Sequence, residues 1–119
     1  MFADTLSVTY NAVAKTLTRM TNGSYQVKYG LDDGGTMYYN LRIEHTVPSA
    51  ANGVGETHMI RLDIDNYDAD GAYLRRDSAW FVLKTSDAKQ DSTAIDYTAQ
   101  ALVDFLSDAN LLKLVAREA

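Results

Sequence analysis

The side chains best suited to chemistry in this sequence recur at alternate positions of several short segments. Between 37 and 47 the large apolar residues fall mainly on one parity and the polar residues on the other, and the segments around positions 28, 61 and 84 repeat the pattern. If these segments are neighbouring strands, their polar sides form one face. That face would contain Lys28, Tyr38, Asn40, Arg42, Arg61, Trp80 and Lys84. Cations suit phosphates, an amide can read a base edge, and an aromatic ring can stack on an unpaired base.

Acidic residues weaken this interpretation. Glu44, Asp63 and Asp65 have the same parity and would repel phosphate. The chain of 119 residues has a net charge of −5 and a pI near 4.8, whereas nucleic-acid partners usually meet a basic domain. From alternation alone, the favoured interpretation is therefore an ordinary solvated face of a sheet.

Enzymatic and metal-binding signatures are weak. The chain has no cysteine, which excludes a disulfide framework, a thiolate zinc site and a cysteine nucleophile. His45 and His58 fall on the apolar parity, which favours a buried or partly buried structural role. Asp68-Ala69-Asp70-Gly71 has a superficial likeness to a calcium loop, but Ala79 stands where the acid at its twelfth position is needed. We therefore predict no catalytic residues, no metal site and no cofactor.

Most of the chain is predicted to form strands. Alternating segments cover 6–10, 13–20, 25–31, 37–47, 57–67 and 78–86. Asn22-Gly23 and the glycine pair at 34–35 are turn signals, and polar loops are expected over 48–56 and 68–77. The pattern predicts an N-terminal β-hairpin and an antiparallel sheet of about five strands.

The last quarter of the chain changes to a helical period. Ser92 and Thr93 can cap a helix in which Ile95, Ala99 and Leu102 share one face. A break at 107–110 separates this helix from a second one, so two helices are predicted within about 92–117. Strands followed by helices indicate one α+β domain over 1–119, with strands to about 86. Because the sequence shows neither a membrane-spanning run nor a signal peptide, we expect a soluble protein made in a cytoplasm.

The last predicted strand has no later strand to pair with. Its strand-forming sequence from Ala79 to Lys84 would leave an edge that can template pairing with another chain. The protein's own helices or its N-terminal hairpin could cover this edge. Alternatively, the strand could pair with its copy across a two-fold axis, which would make one continuous sheet.

The order of elements and the last third of the sequence resemble the coat proteins of single-stranded RNA bacteriophages (levivirus-like). The similar sequence segments are Ser78-Ala79-Trp80-Phe81-Val82-Leu83-Lys84, Tyr-Thr-Ala-Gln-Ala-Leu-Val-Asp-Phe-Leu at 97–106 and Asn-Leu-Leu-Lys-Leu-Val-Ala-Arg-Glu-Ala at 110–119. The resemblance implies a sheet continued across a dimer, with the helices of one chain packed over the sheet of the other. It also implies an icosahedral shell in the virion, assembled in the cytoplasm of a bacterial host. The inner sheet face would bind an RNA hairpin, package the genome and repress translation.

The resemblance also implies roles for individual residues. The polar-face residues named above match the strands on which the family places its RNA contacts. The implied dimer interface contains Ala79, Phe81, Val82, Leu83, Leu102, Phe105 and Leu106, and an inter-dimer loop contains Gly71, Arg75 and Arg76. The hypothesis is a structural protein without enzymatic activity, whose partners are genomic RNA and its own copies, with no membrane. The alternative is a small dimeric α+β ligand-binding or enzyme domain.

Overall fold

A computed structural model describes residues 2–47, 55–85 and 92–118 of the chain. It contains one antiparallel sheet in which every strand pairs with the one before it in sequence. The strands are β1 (Thr5–Tyr10), β2 (Val13–Asn22), β3 (Gln26–Asp33), β4 (Met37–Thr46), β5 (Thr57–Tyr67) and β6 (Tyr73–Lys84). The predicted antiparallel sheet is confirmed, with six strands rather than about five, because the N-terminal hairpin pairs into the same sheet.

Short turns fix the order of the first four strands. Asn11 and Ala12 both have positive φ angles, as a two-residue hairpin turn between β1 and β2 requires. Gly34 and Gly35, at φ 69° and 77°, turn the chain between β3 and β4, and the Gly35 N–H donates to the Asp32 carboxylate at 3.0 Å. Glycine meets these left-handed conformations without a steric cost, so the predicted turn at this position is confirmed.

The hydrophobic core lies on the face of the sheet that the alternation predicted to be apolar. Its buried members are Leu17, Tyr29, Tyr39, Leu41, Ile43 and Ile64. The rings of Tyr10 in β1 and Tyr39 in β4 meet edge to face with centroids 6.1 Å apart. Three strand spacings would separate these strands by roughly 14 Å in a flat sheet. The sheet therefore curls, and the N-terminal hairpin closes over its own apolar face.

The region before the last strand differs from the prediction. β6 begins at Tyr73 rather than Ser78, and the preceding loop covers only 68–72. Arg75 and Arg76 consequently lie within β6, opposite Asn66 and Asp65 of β5, so the prediction that they lie in a loop is wrong, while their inter-dimer contact stays a prediction. The carboxylate of Asp68 closes the short loop by accepting the N–H groups of Asp70 and Ala72. The first half of β6 was missed because polar pairs, rather than apolar alternation, hold it to β5.

Two helices follow the sheet, as predicted. They are α1 (Ser92–Phe105) and α2 (Asp108–Val115). Ser107 caps α2 by accepting the backbone N–H of Asn110, so the break between the helices falls where the sequence indicated. α2 ends at Val115, and Arg117 beyond it has a positive φ of 63°. No helix in the described part of the chain is long and apolar enough to cross a membrane.

The helices leave their apolar side chains uncovered. α2 contains no buried residue. The exposed large side chains are Tyr97, Leu102, Val103, Phe105, Leu106, Leu111, Leu112, Leu114 and Val115. β6 likewise pairs only with β5 among the described residues, and the N-terminal hairpin lies at the opposite edge of the sheet. The predicted loop over 48–54 and the predicted strand end at Ser86 lie outside the described residues.

Candidate nucleic-acid interface

The strand register lines up four of the predicted RNA-binding residues across the polar face. Lys28 of β3 lies opposite Arg42 of β4, Arg42 lies opposite Arg61 of β5, and Arg61 lies opposite Trp80 of β6. Neighbouring strands are about 4.8 Å apart, so this line extends over roughly 14 Å. We call this line, which consists of three cations and ends at Trp80, the cation row. Alternation predicted their common face, and the register adds that they are immediate neighbours.

The other predicted RNA-binding residues lie at different distances from the cation row. Asn40 and Tyr38 occupy the next two same-face positions of β4, opposite Asp63 and Asp65. Lys84 has the same parity but lies four residues beyond Trp80, or about 13 Å along β6. Lys84 therefore shares the predicted face but lies outside the cation row, because parity fixes a face but not a position along a strand.

The cations of the row keep hydrogen-bond donors available. Arg61 donates its Nε to both oxygens of Asp63 at 3.0 and 3.2 Å, and its terminal nitrogens make no hydrogen bond within the described part of the chain. Arg42 has its Nε 3.4 Å from a Glu44 oxygen, but without hydrogen-bonding geometry. Lys28 forms no ion pair with a described residue. The outer faces of these cations can therefore meet a phosphate.

The cations just outside the row are already engaged. Arg76 places its Nε and one terminal nitrogen on the two carboxylate oxygens of Asp65 at 2.7 and 3.0 Å. These hydrogen bonds lower the pKa of Asp65, despite its burial, and raise that of Arg76. Arg75 lies 3.3 Å from Asp77. On the polar face, Arg76 therefore has two nitrogens engaged, whereas both terminal nitrogens of Arg61 stay open. Arg75 has the opposite parity and lies on the other face of the sheet.

The acids that seemed to oppose phosphate binding are paired with these cations. Burial acts to raise the pKa of Asp63, but hydrogen bonds from the Ser78 hydroxyl and Arg61 outweigh it and hold the pKa below 3.8. Glu44 lies beside Arg42, and Asp65 is held by Arg76. Each acid on this part of the face thus faces an arginine, which reduces the repulsion that net charge alone suggested. The spacing Arg61-x-Asp63 was the sequence signal for one of these pairs.

Trp80 is the ring best placed to stack on a base. Its side chain is 60 % exposed, and the guanidinium carbon of Arg61 lies 5.1 Å from the centre of its ring. Tyr38 is half-buried, and its hydroxyl contacts the sulfur of Met20 at 3.5 Å and lies close to Gly30. An exposed indole with a cation beside it is a suitable platform for an unpaired base.

The two histidines lie on the apolar face, as predicted, and are half-buried. Their Nδ1 atoms are 2.8 Å apart across β4 and β5, and Nε2 of His58 is 3.2 Å from Glu56. A hydrogen bond between the rings requires one Nδ1 to accept, so at least one ring is neutral. The predicted partial burial is confirmed, and the structural role stays a prediction. Within the described residues, no group of three potential ligands has the arrangement of a metal site.

Five of the predicted subunit-contact residues lie on two apolar surfaces. Phe81 and Leu83 of β6 line an open groove of about 190 Å³ together with Ile43, Ile60 and the histidines. Val82 faces the other side, beside Trp80, and is exposed. Leu102, Phe105 and Leu106 are exposed on or just after α1, while Gly71 lies in the loop before β6. The chain thus presents an open apolar groove and a separate uncovered apolar helix surface.

Comparison with known families identifies the class of protein. Residues 3–86 match the family model described as "Phage phiCb5, coat protein". The match spans most of the chain, including the whole six-stranded sheet. The protein therefore belongs to this family of bacteriophage coat proteins, and the resemblance inferred from the sequence is confirmed.

Solved structures with the same fold extend the similarity to the helices. The virus-like particle of bacteriophage AVE019 has 16 % identity and a TM-score of 0.60, with 96 % of this chain and 94 % of that chain covered. The virus-like particle of bacteriophage ESE058 has 10 % identity, a TM-score of 0.62 and coverages of 95 % and 94 %. The coat protein of bacteriophage EMS014 has 7 % identity and a TM-score of 0.57 over 85 % and 70 %. No curated protein sequence matches significantly.

Proposed function

We propose that this chain is the capsid protein of an RNA bacteriophage, which forms dimers that close into an icosahedral shell and holds single-stranded genomic RNA on the cation row. Its role is structural rather than enzymatic, it needs no cofactor, and it acts in the virion after assembly in the cytoplasm of the bacterial host. Family membership and the virus-like particles among its structural neighbours support the shell. The observation that carries the RNA-binding part is the alignment of Lys28, Arg42, Arg61 and Trp80 in one register row.

The dimer is proposed from surfaces that the single chain leaves open. The outer edge of β6 has no strand beside it within the described residues, and such an edge readily pairs with another chain. The groove beside Phe81 and the uncovered side chains of α1 and α2 are both apolar, so contact between them would remove apolar surface from water. We therefore propose that β6 pairs with its copy across a two-fold axis and that each chain's helices cover the partner's groove.

The RNA contacts are proposed from chemistry. Lys28, Arg42 and Arg61 would neutralise phosphates and supply most of the affinity, which makes binding salt-dependent. Trp80 would stack on an unpaired base, while Asn40 and Tyr38 would add preference for one hairpin. Binding of such a hairpin would package the genome and repress translation from it. Lys84 would contribute at the margin of this surface.

Expression of the chain alone tests the proposal. We expect large closed particles in negative-stain images, with RNA that survives nuclease treatment until the particles are opened. The triple variant Lys28→Ala, Arg42→Ala and Arg61→Ala should still form dimers but protect much less RNA. Arg75→Ala is the matched control, because it removes a cation of the same sheet that lies on the opposite face. A species of one or two chains without RNA would instead support a small ligand-binding or enzyme domain.

A further inference from the structure

The centre of the proposed RNA-binding face contains a carboxylate. Asp63 lies beside the cation row, opposite Asn40 on one side and Ser78 on the other, and its side chain is 15 % exposed. It accepts hydrogen bonds from the Ser78 hydroxyl and from Nε of Arg61. The negative charge of Asp63 alone would weaken phosphate binding. Its position beside the cation row therefore calls for a physical explanation.

The contacts of Asp63 determine where Arg61 points. The Nε of Arg61 is held by both carboxylate oxygens, and the guanidinium carbon then lies 5.1 Å from the centre of the Trp80 ring. Because the carboxylate occupies only Nε, both terminal nitrogens remain free of hydrogen bonds to described residues. A planar guanidinium fixed at one edge presents the other edge as a two-donor fork for a phosphate.

The nearby Asp65 shows the other possible arrangement. It binds Nε and one terminal nitrogen of Arg76 together, so two of the three guanidinium nitrogens are engaged by the carboxylate. Arg76 lies two positions before Ser78 on β6 and has no contact with Trp80 among the described residues. Two aspartate–arginine pairs on one face therefore differ in how many guanidinium nitrogens the carboxylate engages, one in Arg61 and two in Arg76.

We propose that Asp63 is a positioning residue for RNA: it orients Arg61 so that one nucleotide can place its phosphate on the terminal nitrogens and its unpaired base on Trp80. Ser78 supports this role by donating to the same carboxylate. The inference rests on the proposed RNA-binding function and adds the residue that orients Arg61 for an unpaired nucleotide rather than for a duplex phosphate.

If Asp63 acts only through its charge or if it positions Arg61, the Asp63→Asn variant should change RNA affinity in opposite directions. If Asp63 acts only through its charge, removing it strengthens RNA binding. If it positions Arg61, the variant binds a hairpin with a purine loop on the order of tenfold more weakly, because an anchored charge-assisted contact is lost. The affinity for the fully paired duplex of the same stem falls less. Asp65→Asn is the matched control and should bind no more weakly than the wild type, since it frees Arg76.

Trp80 allows the same question to be tested without RNA. It is the sole tryptophan of the chain, so fluorescence excited at wavelengths that tyrosine does not absorb reports this site alone. In Asp63→Asn the guanidinium leaves the ring, and we expect the emission of Trp80 to shift to the red as water replaces it. Ser78→Ala should give a smaller shift in the same direction. Asp65→Asn should leave the emission unchanged.

The decisive comparison is Asp63→Asn in an Arg61→Ala background, with the purified full chain and both RNA probes. A residue that acts through Arg61 has no further effect once Arg61 is removed. The inference is overturned if Asp63→Asn binds the hairpin as tightly as the wild type, or weakens it equally in the Arg61→Ala background. Failure of the proposed function looks different, because the wild type would then bind neither probe or the cation-row triple variant would bind both normally. Should Asp63→Asn fail to fold, Ser78→Ala carries the same comparison.

Discussion

The sheet and the helices of this protein differ in what covers their apolar side chains. In the sheet, Leu17, Tyr29 and Tyr39 are fully buried against residues of the same chain, because the N-terminal hairpin curls over them. In the helices, Phe105 is 64 % exposed and α2 buries no residue at all. The apolar side chains of the helices therefore contribute little to the folding stability of the single chain. We conclude that the sheet encodes the fold and that the helices are available for association.

The largest effect is expected at β6, the edge strand that precedes the helices in the sequence. Proline at Val82 removes a backbone N–H in the middle of β6 and disfavours the strand, so dimers and particles should disappear. Val82→Thr is the matched control, because it keeps the N–H and the branched side chain. Sedimentation and negative-stain imaging of both variants measure the result. Normal assembly of Val82→Pro would mean that the two chains do not meet along β6.

Truncations in the two regions should separate folding from association. Leu41 is 8 % exposed in the core of the sheet, so Leu41→Ala should lower the free energy of unfolding by about 2–5 kcal/mol. Phe105→Ala should leave the unfolding of the isolated chain nearly unchanged but weaken the dimer tenfold or more, as expected for an aromatic anchor. Urea unfolding and sedimentation equilibrium give the two quantities. If Phe105→Ala destabilises the monomer as much as Leu41→Ala, the helices pack on their own sheet.

A smaller effect is expected from the charged pairs on the polar face. Hydrogen bonds from Arg76 hold the pKa of Asp65 below 3.8 in the folded state. The stabilisation from this pair is therefore complete well above the unfolded pKa and is lost as the pH falls through the folded pKa. The wild type should exceed Asp65→Asn in stability at about pH 6, and the difference should shrink below about pH 4. Urea unfolding across this range measures it, and a gap independent of pH would contradict the assignment.

Much of the fold could be predicted because the sheet buries one face. In 37–47 and 57–67 apolar residues mainly alternate with polar ones, and this period of two favours one orientation for each strand. The first half of β6 could not be found this way, since Arg75, Arg76 and Asp77 show no apolar alternation. There the strand is held by cross-strand pairs, which are visible only once the register with β5 is known.

The sequence predicts the face of the sheet on which the candidate site lies, but not how the residues are arranged on that face. Parity placed Arg42, Arg61 and Trp80 on the polar side, yet it could not show that they form one row or that Lys84 lies outside it. Register depends on turn geometry and on irregularities such as the one between Asn66 and Tyr67, which alternation does not encode. The role of Asp63 also required the structure, because the same carboxylate could have occupied either edge of Arg61.

The salt dependence of RNA binding tests the central claim most directly, since it counts phosphate contacts. Dimers of the wild type, of the Lys28→Ala, Arg42→Ala and Arg61→Ala triple variant, and of Arg75→Ala would be compared by filter binding to one hairpin at several salt concentrations. Each lost contact reduces the slope of log affinity against log salt by about 0.7–0.9, so the triple variant should lose roughly two to three units. Arg75→Ala should keep the wild-type slope. An unchanged slope in the triple variant would contradict the account and place the RNA on another surface of the protein.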